Sequence, residues 1–432
     1  MSENTQIPGE ARTPPARVEA ILLLVLASAQ FTNIVDFMVV MPLGPQLMRV
    51  LKISTEQFGL IVSSYTISAG LAGLLGSSFL DRFGRKRAFL TLYGGFLLGT
   101  LICGLAGNYY QLLVARMATG AFGGILGGMA LAIIGDVFPE ERRGRATGVL
   151  MSAFAVASVI GVPSGLYLGT KLGWNAPFLV LAALSLPILG LATWYLPPLR
   201  DHLSRSTPIS PFAQIVETLS RADHLRAFAL TASIMLGGFA VIPYISVSLV
   251  SNVGVPEAKL PLVFVTGGLL TLIGSPLIGR MADRHGKPRV YRIVAVFSIV
   301  CMLLVTNLGP VPVAVAVVLA GSFMLSNAGR MVAALALVTS SVAANRRGGF
   351  MSANSAVQHL SAGLGAYLGS VILSKPLVDG PLYHYGKVGL LSLASTLVSL
   401  WLVGRVGPAP TPVAEIAPDG AGKSLPTPAF SD

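Results

Sequence analysis

Three charged side chains stand where this chain can least easily carry them. Asp36, Arg116 and Arg330 each interrupt a long apolar run. A charge within an apolar span costs several kcal/mol, so such residues usually face a cavity and a partner. At about 1.5 Å per helical residue, Asp36 sits about 27 Å from the start of a first span and Arg116 about 10 Å from the start of a fourth. Those starts lie on opposite sides, so the depths agree and the two side chains can pair within the first half of the chain. The chemistry open to such a pair is proton carriage. If substrate or motion draws Arg116 away, Asp36 loses its counter-charge and takes up a proton. The alternative is a permanent brace that never titrates.

Other polar residues gather around the same levels. Gln30 and Asn33 precede Asp36 at three-residue steps, on one broad helix face. They either line a cavity or hydrogen-bond neighbouring helices. Arg330 lies midway along its run with Asn327 one turn earlier, and its own half offers it no acid. That suits either an anionic substrate group or a structural role on backbone carbonyls. Asn354, Gln358 and Ser361 fall at i, i+4 and i+7, one polar face expected to meet the cavity, with His359 beside it. A lone histidine there is as readily a hydrogen-bonded core residue as a proton carrier.

These residues need membrane-spanning helices to position them. Only 11% of residues are charged and 53% are hydrophobic, against about 25% charged in a soluble domain. Many apolar stretches exceed the roughly 18 residues that suggest a span. Twelve spans are predicted, at 18–41, 57–80, 88–106, 109–138, 145–169, 174–197, 226–251, 258–281, 289–308, 311–341, 348–374 and 383–404. The fold class is therefore all-α membrane protein, in two six-helix bundles at 18–197 and 226–404. Residues 1–17 and 405–432 read as disordered tails, and 198–225 as the linker between bundles. Within the linker, Ser210-Pro211 starts a helix whose Phe212, Ile215, Val216 and Leu219 form one apolar face, suited to lying on a membrane or docking a partner. The stretch from Arg12 to Ala29 mimics a signal peptide, but its apolar character runs on to Met41 and completes a span.

The net charge of +12 does not imply nucleic-acid binding. By position, 22 of the 30 Lys and Arg lie on the side shared by both termini and the loops at 81–87, 139–145, 198–225, 280–289 and 342–347. That is the positive-inside pattern, and it places both termini in the cytoplasm. Cys103 and Cys301 fall in apolar runs of opposite halves, and the five histidines lack ligand spacing. No cofactor, metal site or phosphate loop is expected.

The chain also repeats itself. A charged island, Asp81-Arg82-Phe83-Gly84-Arg85-Lys86-Arg87, returns as Asp283-Arg284-His285-Gly286-Lys287-Pro288-Arg289. Gly148-Val-Leu-Met-Ser-Ala in the fifth span matches Gly348-Gly-Phe-Met-Ser-Ala in the eleventh, in a register that runs on to Gly165 and Gly169 against Gly365 and Gly369. Two parallel repeats imply a pseudo-two-fold axis along the membrane normal and a central cavity between the halves.

Over residues 18–404 the chain resembles the major facilitator superfamily of secondary transporters. The island matches that family's loop signature, departing at Ser77, where glycine is usual for close helix approach; the second copy keeps it as Gly279. Arg116 and Gly120 match an R-x-x-x-G pattern of twelve-span drug and sugar efflux antiporters, and Gly161, Pro163, Gly165 and Gly169 match their fifth-span antiporter motif, in its arabinose-type form. That form departs at Asn175, where arginine is common, so sugar specificity does not follow. The resemblance implies that Asp81, Arg82, Gly84, Arg85 and Lys86, with Gly279, Asp283, Arg284 and Gly286, latch the outward-open state. Asp81 would face the helix N-terminus near Gly348, and the basic residues would tie helix ends together. It also implies that the glycine face of the fifth span seals the halves, with a kink at Pro163.

The expectation is a proton-coupled exporter of a small organic molecule, not an enzyme. It would work as a monomer by alternating access in a bacterial inner membrane, with protons, a small-molecule substrate and lipid as its partners. A proton-coupled uptake symporter of the same fold, and a membrane sensor that does not transport, are the alternatives.

Overall fold

The computed structural model describes residues 16–80, 83–199, 220–343, 347–374 and 380–407. Both predicted tails, apart from a few residues at their inner ends, lie outside that set. So do Asp81, Arg82 and the linker helix expected at Phe212 to Leu219.

Among the described residues the regular elements are helices. The first half contains α1 (Ala16–Val39), α2 (Gly44–Leu51), α3 (Thr55–Leu80), α4 (Arg85–Leu105), α5 (Tyr109–Val137), α6 (Glu140–Val156), α7 (Val162–Leu172) and α8 (Ala176–Tyr195). The second contains α9 (Ala222–Val241), α10 (Ile245–Ser251), α11 (Leu260–His285), α12 (Lys287–Thr306), α13 (Val313–Ser340), α14 (Arg347–Ile372) and α15 (Tyr385–Val403). Eleven described stretches are long and apolar enough to cross a membrane. The long helix α14 is absent from those eleven; Ser352, Asn354, Ser355, Gln358 and His359 make it more polar. Among the described residues it falls between the tenth and eleventh of those stretches.

Local chemistry explains most helix boundaries. Asn108 caps α5: its side chain accepts from the Gln111 N–H at 3.0 Å, while the Gln111 side chain accepts from the Gly107 N–H at 2.8 Å. Each bond satisfies a donor left over at the helix start. Gly286 joins α11 to α12 at φ 90°, a conformation that strains any residue with a Cβ. The first-half island turns differently, with Gly84 at φ −59°.

The helices depart from uniform spans in three places. After α1 the chain turns at Pro42 and forms α2, a short helix with Pro45 in its first turn and Lys52 as a left-handed cap at φ 52°. The fifth span is not one α-helix: a π-helical turn, Ala157–Gly161, joins α6 to α7. There the Val162 N–H reaches back to the Ala157 carbonyl, which accommodates Pro163 without losing the helix. The seventh span breaks at a 3-10 turn, Ile242–Tyr244, centred on Pro243.

The end from which α1 starts is the tail end; the other is the distal end. At the distal end buried apolar residues of both halves form one continuous core, in which Val39, Leu47, Phe58 and Val62 join Tyr244, Val247, Leu249 and Ala366. At the tail end the core splits. Leu22, Leu26, Phe89, Tyr93, Ile133 and Leu150 form a cluster within the first half. Ala227, Ile234, Tyr291, Leu337, Phe350 and Val403 form another within the second. The halves are thus fused at the distal end and separately cored at the tail end.

Candidate functional site

The site lies where the fused core ends. Asp36 comes from the last turns of α1 and Arg116 from the second turn of α5, and they meet as the depth count requires. Arg116 Nη1 donates to Asp36 Oδ2 at 2.6 Å and to the Asp36 carbonyl at 3.3 Å. Thr100 of α4 donates to Asp36 Oδ1 at 3.1 Å. The side chains are 0% and 1% exposed, so water does not screen the pair. Two charges so far from water are tolerable only because they face each other, and removing one leaves the other uncompensated.

Small residues let this cluster close. A Cβ on Gly120, the glycine of the R-x-x-x-G pattern, would collide with the Tyr65 carbonyl of α3. One on Gly123 would fall 2.6 Å from both Asn33 Oδ1 and Tyr65 Oη. The Tyr65 ring thereby lies under the Arg116 guanidinium, 4.3 Å from it, a cation–π contact that adds to the ion pair. Tyr65 Oη donates to Asn33 Oδ1 at 2.8 Å, and Asn33 Nδ2 donates to the Gly123 carbonyl at 3.0 Å. α3 and α5 thus take both ends of the Asn33 amide, the helix-to-helix alternative. Gln30, one turn before, is half-buried beside Gly127, and its Oε1 has no partner among the described residues.

Among its described residues the second half holds no comparable buried pair. Arg330 is 1% exposed. Its Nη1 donates to Thr396 of α15 and its Nη2 to Asn327, each at 2.8 Å, and no described residue accepts from its Nε. Arg330 thus spends its two terminal nitrogens on a neighbouring helix and on its own, as the structural alternative requires, and its buried Nε keeps a donor to spare. Asn354 is fully buried, its Oδ1 accepting from Thr231 of α9 at 2.9 Å. Gln358 and His359 are half-buried on α14. The residues expected to line one cavity are split between these half-buried groups and buried ones, of which Asn354 keeps its Nδ2 and Arg330 its Nε without a described partner.

The glycine motif of the fifth span also faces elsewhere than expected. Cβ atoms on Gly161 and Gly169 would collide with Val35 and Leu43, and one on Gly165 would lie 2.7 Å from Val39. The motif's glycines therefore receive Val35 and Val39 of α1 and Leu43 of the turn after it, all in their own half. The halves meet near this level at Gly268 of α11, whose Cβ would fall 2.7 Å from the Ser158 carbonyl in the π-helical turn, and at Gly363 of α14, whose Cβ would fall 2.7 Å from Thr66 Oγ1 of α3.

The loop islands are partly described. Arg85 Nε donates to Asp136 Oδ2, at the tail end of α5, at 3.1 Å, and its N–H donates to the Leu199 carbonyl at 3.1 Å. Lys86 is half-buried. In the second island Lys287 Nζ donates to the Ala336 carbonyl at 3.1 Å, while Asp283 and Arg284 are exposed. A Cβ on Gly279 would meet only Val332, at 3.7 Å, so that glycine is not at a close approach here. Across the distal end, Arg49 of α2 holds Glu257 of the second half with both terminal nitrogens, Nη2 at 3.0 Å from Oε2.

Sequence reasoning missed Tyr65, Thr100, Asp136 and the Arg49–Glu257 pair. Tyr65 and Thr100 were within reach, since the depth count that matched Asp36 to Arg116 puts both at the same level. Asp136 and Glu257 sit at helix ends, where a carboxylate reads as ordinary surface.

A family model described as the Major Facilitator Superfamily matches residues 26–227 and 227–431. The MFS-type transporter YceJ of Bacillus subtilis (strain 168) is 24% identical over 261 residues, 60% of this chain and 66% of its own length. The protein AraJ of Escherichia coli (strain K12) is 24% identical over 362 residues, 82% of this chain and 87% of its own. Among solved structures, a bacterial homologue of the human lysosomal transporter Spinster, inward-facing and occupied, superposes with a TM-score of 0.66 at 16% identity, covering 91% of this chain and 95% of that one.

Proposed function

The chain belongs to the major facilitator superfamily, and on that premise we propose that it is a proton-coupled exporter of a small organic molecule. The observation that carries this reading is the Asp36–Arg116 pair, 2.6 Å apart and sealed from solvent. In our reading the pair alternates between two conditions. With Arg116 on Asp36 the acid is charged and compensated. When substrate or helix motion withdraws the guanidinium, a lone carboxylate in that setting is too costly and accepts a proton. Release on the far side restores the pair.

The tail end is the cytoplasmic side in this proposal, because 22 of the 30 Lys and Arg lie there. The described arrangement, fused distally and separately cored at the tail end, supports an inward-facing state. Residues 18–197 and 226–404 are the two bundles that rock, and the protein acts as a monomer in the inner membrane. Gln30, Gln358 and His359 are the polar groups left to meet a solute, one largely apolar or amphipathic. The islands at Asp81–Lys86 and Asp283–Gly286 latch the opposite state. Export is preferred over uptake because of the fifth-span glycine and proline pattern.

Purified protein in liposomes carrying an internal pH dye tests this, challenged with drugs, sugars and organic anions beside Asp36→Asn. Substrate-dependent proton movement opposite to the solute, lost in the variant, is the expected result. Movement in the same direction converts the reading to an uptake symporter. Full coupling in Asp36→Asn makes the pair a static brace, the reading its complete burial otherwise favours.

A further inference from the structure

Phe37 follows Asp36 on α1, and its ring contacts two others. Tyr65 of α3 lies 5.2 Å away with planes 26° apart, and Phe239 of α9 lies 5.9 Å away with planes 27° apart. The Tyr65 ring in turn carries the Arg116 guanidinium at 4.3 Å. The contacts form one chain, Phe239 to Phe37 to Tyr65 to Arg116 to Asp36. Phe239 enters it from the other half of the molecule.

The geometry leaves this chain one free end. Close approach of α3 at Gly120 fixes the Tyr65 backbone, and the bond to Asn33 fixes its hydroxyl. What remains to set the ring against Arg116 is Phe37. Phe37 and Phe239 are half-buried, whereas Tyr65, Arg116 and Asp36 are buried. Among the described residues the charged or titratable groups acting at the pair are Arg116 of α5, Tyr65 of α3 and Cys103 of α4, with Thr100 of α4 donating a hydrogen bond.

We infer that Phe239 is a positioning residue for the Asp36–Arg116 pair, reporting through Phe37 and Tyr65 whether the two halves are closed at the distal end. The inference rests on the proton-coupling reading of that pair. With the halves closed distally, Phe239 backs the stack and holds the guanidinium on the carboxylate. When the second half swings away, the stack loses its outer ring, and Arg116 is released more easily. Opening the distal side and freeing Asp36 for a proton then become one event, without any charge on the second half.

Dicyclohexylcarbodiimide tests this without a known substrate. It is apolar and modifies carboxyl groups in their protonated form, so the fraction of Asp36 converted to the acylurea, read by mass spectrometry across a pH series, follows release of the pair. Full-length protein in proteoliposomes is compared as wild type, Phe239→Ala, Phe239→Leu, Phe239→Tyr, Arg116→Gln and the Phe239→Ala/Arg116→Gln double variant. Phe239→Ala and Phe239→Leu should label about fivefold more than wild type at mildly alkaline pH, the scale of one lost aromatic pair. Phe239→Tyr, which keeps the ring, should match wild type. In the Arg116→Gln background Phe239→Ala should add nothing, because its effect passes through Arg116. An additive effect would mean that the substitution merely admits reagent, and would overturn the inference. If Arg116→Gln raises labelling while neither Phe239→Ala nor the bulk-preserving Phe239→Leu does, the inference falls and the coupling reading stands. If Arg116→Gln itself leaves Asp36 unlabelled at every pH, both fall.

Discussion

Neutralising both members of the buried pair should be far less damaging than neutralising either one. In Asp36→Asn, Arg116 keeps the Asp36 carbonyl at 3.3 Å and the Tyr65 ring but has no counter-charge. That places the loss near the low end for a broken buried pair, about 3 kcal/mol. In Arg116→Gln the carboxylate keeps one described donor, Thr100 at 3.1 Å, and the loss is about 4 kcal/mol. The double variant buries two amides that can bond each other and loses only about 1–2 kcal/mol. The singles therefore overstate the double by about 5 kcal/mol, well beyond the few tenths within which independent sites add. Equilibrium unfolding in mixed micelles measures this, with Trp174, buried against Phe178 at 6.4 Å, as one fluorescent reporter. Additive losses would refute the argument, because they would show that neither charge depends on the other for its place.

Arg330 should behave oppositely. No described carboxylate compensates it, so Arg330→Met, apolar and of similar length, should leave unfolding free energy unchanged or raised by about 1 kcal/mol. Gly165→Val should drive a side chain into Val39, 2.7 Å from the missing Cβ, and cost about 1–3 kcal/mol; Val39→Ala in the same chain should recover part of the thermal midpoint. The Arg49–Glu257 pair lies at the rim, with Arg49 61% exposed, so Glu257→Gln should change stability by less than about 1 kcal/mol. Its effect should instead appear as faster maleimide labelling of a cysteine introduced at Ser251, with unchanged labelling rejecting a role in distal closure.

Hydropathy made most of this architecture legible, because a bilayer tolerates few alternatives. Runs such as 88–106 and 311–341 reappear as α4 and α13 within two or three residues. Asp36 and Arg116 were legible together, since each was costly alone and their depths matched. What sequence could not supply was the identity of neighbours. The four-residue step of Gly161, Gly165 and Gly169 announces a close contact, but the same step would serve a partner in either half, and α1 with the turn after it occupies it. The amide of Asn33 and the guanidinium of Arg330 looked available for solute for the same reason. Helix α2 was lost because eight residues after a proline are too few to impose a period, and the π-helical turn because its one extra residue hides in a continuous apolar run.

The repeated glycines have a mechanical consequence. In the first half they receive side chains, Val39 at Gly165 and Leu43 at Gly169. At the matching positions of the second half, Gly365 and Gly369 meet backbone instead, the carbonyls of Leu236 and Ala240. A side chain in a notch can change rotamer and give way, whereas a main-chain carbonyl can move only with its helix. The α14–α9 seam is accordingly the stiffer of the two, and the α7–α1 seam the more compliant. A load that strains both seams is taken up first between α7 and α1, where side chains fill the notches.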